Sequence, residues 1–311
     1  MAAEQALALV VRGTDWSETS RITTLFTREF GKVRGLAKGG RRLKSSFDGA
    51  FDLLTVCRVV FLRKAHGGLD LLTEARMEER FPALRENLSA LYAGYYVAEL
   101  LSDGTQDYDP HPDLFDAALD TLRKLGRSPE QPNPPGPPSL RGKGGDEPTD
   151  WQGDVAASAG SQEVTPREHP SPSGGGGGGG VDHVRASSTL RRPPAPQVAD
   201  LVTRFELVWL KELGYSPRLD VCTGCGKAVP GGVPRVWFSA AAGGVVCTPC
   251  SPAQADRRPL SGDAVRALAA LAAGGPVELE SVRAELRALL GQVVSFVLGR
   301  RPRMHRFLAD G

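Results

Sequence analysis

The chain has 311 residues, 41% of them hydrophobic and 24% charged, with a formal net charge of +2. That length suggests about two domains plus extra segments, each able to bury a sizeable core. So small a net charge excludes an argument from overall basicity, so a polyanion partner must be read from local charge. No stretch approaches the roughly 20 continuous apolar residues of a membrane span. Met1 to Leu9 contain Glu4 and no basic segment ahead of a long apolar run, unlike a signal peptide. A cytoplasmic, nucleoid-associated protein is expected.

Residues 1–80 read as a β-rich domain. Ala6 to Val11 is apolar and ends at the turn signals Gly13 and Asp15. Arg21 to Phe26 is β-branched and aromatic, Lys32 to Ala37 is a short strand, Phe51 to Leu62 a longer one, and Leu69 to Ala75 a fifth. Five strands with glycine turns in about 80 residues fit a small barrel of the oligonucleotide/oligosaccharide-binding (OB) type. Cys57 lies in an apolar run and is expected to be a buried small side chain. Phe26 shares a strand face with Ile22 and Thr24 and is expected to be buried. Phe26, Phe30 and Phe47 would stack on bases only if exposed.

Residues 31–44 hold Lys32, Arg34, Lys38, Arg41, Arg42 and Lys44 and no acidic residue. Beside a barrel-type sheet, such a run is the footprint of a phosphate backbone. The alternative is a solvated basic loop. These six residues are the candidate DNA contacts.

Residues 81–126 change period and read as the first part of a helical domain. Leu84, Leu88, Leu91, Tyr92, Tyr95 and Ala98 recur at helical spacing, which assigns the tyrosines to a core stripe. Asp113 opens a second amphipathic helix through Leu114, Phe115, Ala118, Leu119 and Leu122. Asp107 and Asp109 near Asp103 fit a polar loop between helices better than a metal site. Residues 127–197 then form an insertion in which Gly and Pro take 26 of 71 positions. Such a segment buries too little apolar surface to offset its ordering entropy, and disorder is expected.

Residues 198–311 resume the helical domain. Leu201, Phe205 and Val208 mark a helix that Gly214 can end. Cys222-x-x-Cys225 and Cys247-x-x-Cys250 follow, the pairs separated by 21 residues, with a strand at Arg235 to Ser239 and a turn at Gly243-Gly244 between them. Two such knuckles across residues 222–250 can close a tetrahedral site around one structural Zn2+ with no open position for substrate. A redox Cys-x-x-Cys enzyme and a pair of disulfides are the competing readings. Two helical patterns finish the chain, about Gly262 to Ala273 and Val282 to Val297 before Gly299. Arg300, Arg301, Arg303 and Arg306 then extend a nucleic-acid path, hold an acidic peptide, or do no more than complement a helix C-terminus. No phosphate loop, nucleophile elbow or zinc-protease helix is present in the sequence, and a non-enzyme is expected.

In its order of motifs the chain resembles the RecO family of bacterial DNA repair proteins. The resemblance runs through Ser17 to Lys32, Ala37 to Ser45, Tyr95 to Leu101, Pro112 to Phe115 and Phe205 to Pro217 leading into Cys222, then Phe238-Ser239 and Gly243-Gly244 before Cys247. It implies an α+β protein with an N-terminal OB barrel and a helical domain carrying a four-cysteine element. It also implies binding of single- and double-stranded DNA, annealing of complementary strands and, with RecR, loading of RecA onto DNA coated by single-strand binding protein (SSB), whose acidic C-terminal tail family members bind. A cytoplasmic zinc-ribbon adaptor with little DNA binding is the alternative.

Overall fold

The computed structural model describes residues 3–40, 47, 49–64, 68–127, 195–230 and 232–308. The 127–197 insertion falls almost wholly outside these residues. Five strands make a closed barrel: β1 (Ala3–Asp15), β2 (Arg21–Thr27), β3 (Gly31–Ala37), β4 (Val56–Leu62) and β5 (Asp70–Glu79), in the order β1-β2-β3-β5-β4. All neighbours are antiparallel except β3 and β5. The interior is filled by Ala8, Val10, Leu25, Val33, Cys57, Val59 and Phe61, all fully buried. Gly35 is required inside because a Cβ there would lie 2.6 Å from Leu72 Cγ.

β4 starts at Val56 and not at Phe51. Leu54 has a φ of 64°, so residues 51–55 turn; Leu54 and Thr55 still exchange backbone hydrogen bonds with Val10, but no regular strand forms there. The fifth strand runs on past Ala75 to Glu79.

The helical part packs on the barrel's outer wall. α1 (Leu88–Gly104), α2 (Pro112–Gly126), α3 (Ala195–Glu212), α4 (Gly262–Ala272) and α5 (Arg283–Leu298) share a core with Leu9, Val11 and Phe26 of the barrel. Phe26 is buried as expected, but on the barrel's exterior, with its ring 6.3 Å from that of Phe115 in α2. Asn87 caps α1 by accepting from the Ala90 amide, so Leu88 sits at the exposed first position and leaves the core stripe. Trp209 of α3 is fully buried, donates from Nε1 to the Leu100 carbonyl, and fills the space that Gly104 leaves open. Gly299, with a φ of 67°, ends α5 in the left-handed conformation.

A three-stranded sheet sits among the helices: β6 (Arg235–Ser239), β7 (Gly244–Val246) and β8 (Arg258–Ser261), in the order β7-β6-β8. β8 escapes the sequence pattern because Pro259 cannot donate to a ladder. The strand lies at the sheet edge, where that loss is tolerated.

No helix of the described residues is long and apolar enough to cross a membrane.

Candidate nucleic-acid interface and metal centre

On β3 the side chains alternate. Gly31, Val33, Gly35 and Ala37 are buried, while Lys32, Arg34 and Leu36 face outward. Arg34 and, one residue beyond the strand, Lys38 are exposed, and neither makes an ion pair among the described residues. Arg41, Arg42 and Lys44 lie outside the described residues.

Lys32 differs. Its side chain is only 13% exposed. Its ammonium donates to the carbonyls of Ser102 and Thr105, the former at 3.0 Å, and lies 3.4 Å from Asp107. The last turn of α1 contains no basic residue of its own, so Lys32 supplies the cation that its carbonyls favour. The ammonium expected on the phosphate path thus docks the helices onto the barrel. Gly31 serves the same junction: its φ is 67° and a Cβ would lie 1.9 Å from the Asp109 carbonyl.

All three phenylalanines weighed as stacking residues pack within the fold, Phe30 only partly buried. Phe26 lies under α2, Phe30 packs edge-on against Phe61 at 5.6 Å, and Phe47 is buried and stacked on Phe51 at 5.1 Å. Tyr96 is buried, its hydroxyl donating to Glu206 at 2.6 Å, and Tyr92 packs on Phe307. Tyr96 thus belongs to the core, Tyr95 packs against it half-buried, and Tyr92 lies at its margin.

Of the C-terminal arginines, Arg300 is answered within the fold, whereas Arg301, Arg303 and Arg306 are exposed. Arg300 pairs with Glu99 and Asp103, and Glu99 also accepts from the amides of Arg303 and Met304. This ties residues 300–304 to α1. Asp103 also pairs with Arg12 and Asp107 with Lys32, which are contacts between elements, while Asp109 meets His111 within the loop before α2.

The cysteines converge. The four Sγ atoms of Cys222, Cys225, Cys247 and Cys250 lie within 4.8 Å of one another, and no other such group of potential ligands occurs among the described residues. The backbone brings them together. The Thr223 amide donates to Val245 of β7 at 2.9 Å, and the Arg218 amide to Gly243 at 2.9 Å. Each knuckle is closed by its own turn, Gly226 N–H to Cys222 O and Cys250 N–H to Cys247 O. Gly226 adopts a φ of 73°, whereas Gly224 is needed for space, since its Cβ would lie 3.1 Å from that of Cys250.

Cys225 and Cys247 are 3.8 Å apart at sulfur, far beyond a disulfide of about 2.05 Å. Four sulfurs about 2.3 Å from a tetrahedral zinc are separated by roughly 3.8 Å, so the cluster fits such an ion. Burial raises the Cys222 thiol, but the amides of Cys247, Cys225 and Gly224 outweigh it and bring the pKa to about 6, whereas hydrogen bonds with the neighbouring cysteines push Cys250 up to about 12. Four cysteines fill four positions and could hold a metal ion such as zinc. Cys57 is unrelated to this site. It is fully buried in the barrel, and burial, with a smaller contribution from Glu78, pushes its thiol up to about 12.

The N-terminal family model of Recombination protein O matches residues 1–81, and its C-terminal counterpart matches residues 85–136 and 189–306. The chain belongs to the RecO family. The C-terminal RecO match is interrupted where the Gly/Pro-rich segment lies. A DNA repair protein RecO of Rhodopirellula baltica is 30% identical over 332 residues, covering 98% of each chain. One from Anaeromyxobacter sp. is 29% identical over 310 residues, 97% of this chain and 94% of its own. A Salinibacter ruber RecO is 38% identical over 118 residues, 38% of this chain and 45% of its own. The chain is thus a DNA repair and recombination protein of a family of non-enzymatic mediators.

Proposed function

We propose that this chain binds single- and double-stranded DNA, anneals complementary strands and, with RecR, loads RecA onto SSB-coated DNA in the bacterial cytoplasm. The observation that carries this reading is the outer face of β3, where Arg34 and Lys38 stand exposed and, among the described residues, without ion-pair partners; Arg41, Arg42 and Lys44 follow in the sequence. Cations so placed displace counterions from phosphates, which makes binding independent of sequence and sensitive to salt. Two strands held against one cationic surface repel each other less, which favours their pairing.

One structural Zn2+ held by Cys222, Cys225, Cys247 and Cys250 would clamp the β6-β7-β8 sheet and the segment before Cys222. It would supply folding energy and no chemistry.

The test is annealing of SSB-coated complementary oligonucleotides with and without the protein. Acceleration that fades as salt rises supports the reading. Strands that stay unannealed, with the protein bound only to its protein partners, would mean an adaptor.

A further inference from the structure

Pairing of β1 with β4 ends at Leu9, and the register of β1 shifts between Val10 and Arg12. Beyond that irregularity β1 pairs only with β2, and residues 12–18 are all exposed. The β1 side of the β1–β2 hairpin therefore runs beyond β4, while β2 stays paired with β3 as far as Arg21 and Ala37. At the hairpin tip stands Trp16, 67% exposed and the most exposed large apolar side chain among the described residues. Trp209, by contrast, is fully buried.

The tip is a built turn. The amides of Trp16 and Ser17 both donate to the Ser20 carbonyl, at 3.0 and 3.2 Å, and the Ser20 amide donates to Ser17 Oγ at 3.1 Å. Arg21 braces the arm by donating to the Phe51 carbonyl at 3.2 Å. Its guanidinium crosses Gly13, where a Cβ would lie 3.0 Å from Nε. A ring presented by so fixed a turn costs little to order when it binds.

The tip adjoins the cationic strand. Asp15 pairs with Arg21, Arg21 pairs with Ala37, and Lys38 comes next. Two strand spacings of about 4.8 Å place β1 about 10 Å from β3 in this row. One or two nucleotides of an extended strand bridge that distance. The tip itself carries Asp15 and Glu18, the former 3.7 Å from Arg21.

We infer that Trp16 is a base-stacking residue for single-stranded DNA, taking the face of an unpaired base while the neighbouring phosphates lie along Arg34 and Lys38. This rests on the DNA-binding reading above and adds a division of labour: β3 holds the backbone of any strand, and Trp16 selects bases that are not already stacked in a duplex. Stacking of this kind tolerates any sequence because every base has a π face.

The test uses the full chain and its Trp16→Ala and Trp16→Phe variants. Anisotropy titrations follow dye-labelled oligothymidylate, the same backbone with abasic sites, and a blunt duplex, each over a salt series. Stacking contributions to one base correspond to about a 5- to 150-fold affinity change. Trp16→Ala should lose affinity for oligothymidylate within that range, with Trp16→Phe recovering most of it. Its salt slope, its duplex affinity and its binding to the abasic strand should match wild type. Unchanged oligothymidylate binding, or an equal loss on duplex and abasic strands, would overturn the role of Trp16 while leaving the cationic surface intact. If the wild-type chain binds none of the three, both readings fall. Circular dichroism and melting of each variant check folding, which the exposure of Trp16 should spare.

Discussion

The outward face of β3 gives a sharp prediction about salt. Arg34 and Lys38 are exposed and have no ion-pair partner among the described residues, whereas Lys32 is held by Ser102, Thr105 and Asp107. Each neutralised phosphate on a single strand contributes about −0.7 to the slope of log K against log salt. The double change Arg34→Ala, Lys38→Ala should therefore flatten that slope by about 1.4, so that a fourfold rise in salt costs roughly sevenfold less affinity than in wild type. Lys32→Met should leave the slope unchanged. It should instead lower stability by about 1–3 kcal/mol, because buried carbonyls at the end of α1 lose their donor. Fluorescence anisotropy with a single-stranded oligonucleotide over a salt series reads the first effect, and urea denaturation reads the second. A slope that flattens as much in Lys32→Met as in the double variant would refute the assignment of β3 to two separate tasks.

Three further outcomes follow from particular contacts. Purified protein should contain one zinc per chain by elemental analysis. Cys222→Ser should lose that zinc and melt at lower temperature, and a zinc-free wild-type preparation would remove the metal from the account. Arg287→Met should cost about 3–5 kcal/mol at neutral pH, since it leaves the fully buried Glu206 without the guanidinium at 3.3 Å. Burial raises the Glu206 pKa, against which Arg287 and Tyr96 act. The native carboxyl thus binds its proton more tightly than the unfolded one, and its stabilising effect is present in acid and lost as pH rises through the native value. The deficit of Arg287→Met should accordingly shrink in mild acid, and urea midpoints equally shifted at both pH values would contradict this. Gly31→Ala should destabilise by at least about 2 kcal/mol, from its positive φ and the clash with Asp109, measured by thermal melting.

The strands and helices were legible where local chemistry decides them. Glycines such as Gly299 end elements because only a residue without a Cβ turns left-handed cheaply. The amphipathic stripe of α2, from Leu114 to Leu122, states its period unaided. The cysteine spacing likewise specified a four-sulfur cage, because two residues between thiols suffice to form each knuckle. β8 was hidden because Pro259 reads as a breaker until a neighbouring strand shows that the ladder needs nothing from it.

Along the chain Lys32 and Arg34 are equivalent: both are cations on the outward side of one strand. Only the docking of α1 against the barrel separates them, burying one ammonium at a helix terminus and leaving the other guanidinium in water. Trp16 shows the converse. A tryptophan among polar residues carries no sign of its exposure, because what covers an aromatic ring is supplied by distant segments. Here the ring remains 67% exposed at the turn between β1 and β2. Sequence by itself determined the strand and helix periods and the two cysteine knuckles, since each depends on neighbours a few residues away. Tertiary packing decided which charges and rings remain available to a partner, since burial is a property of surfaces that meet only after folding.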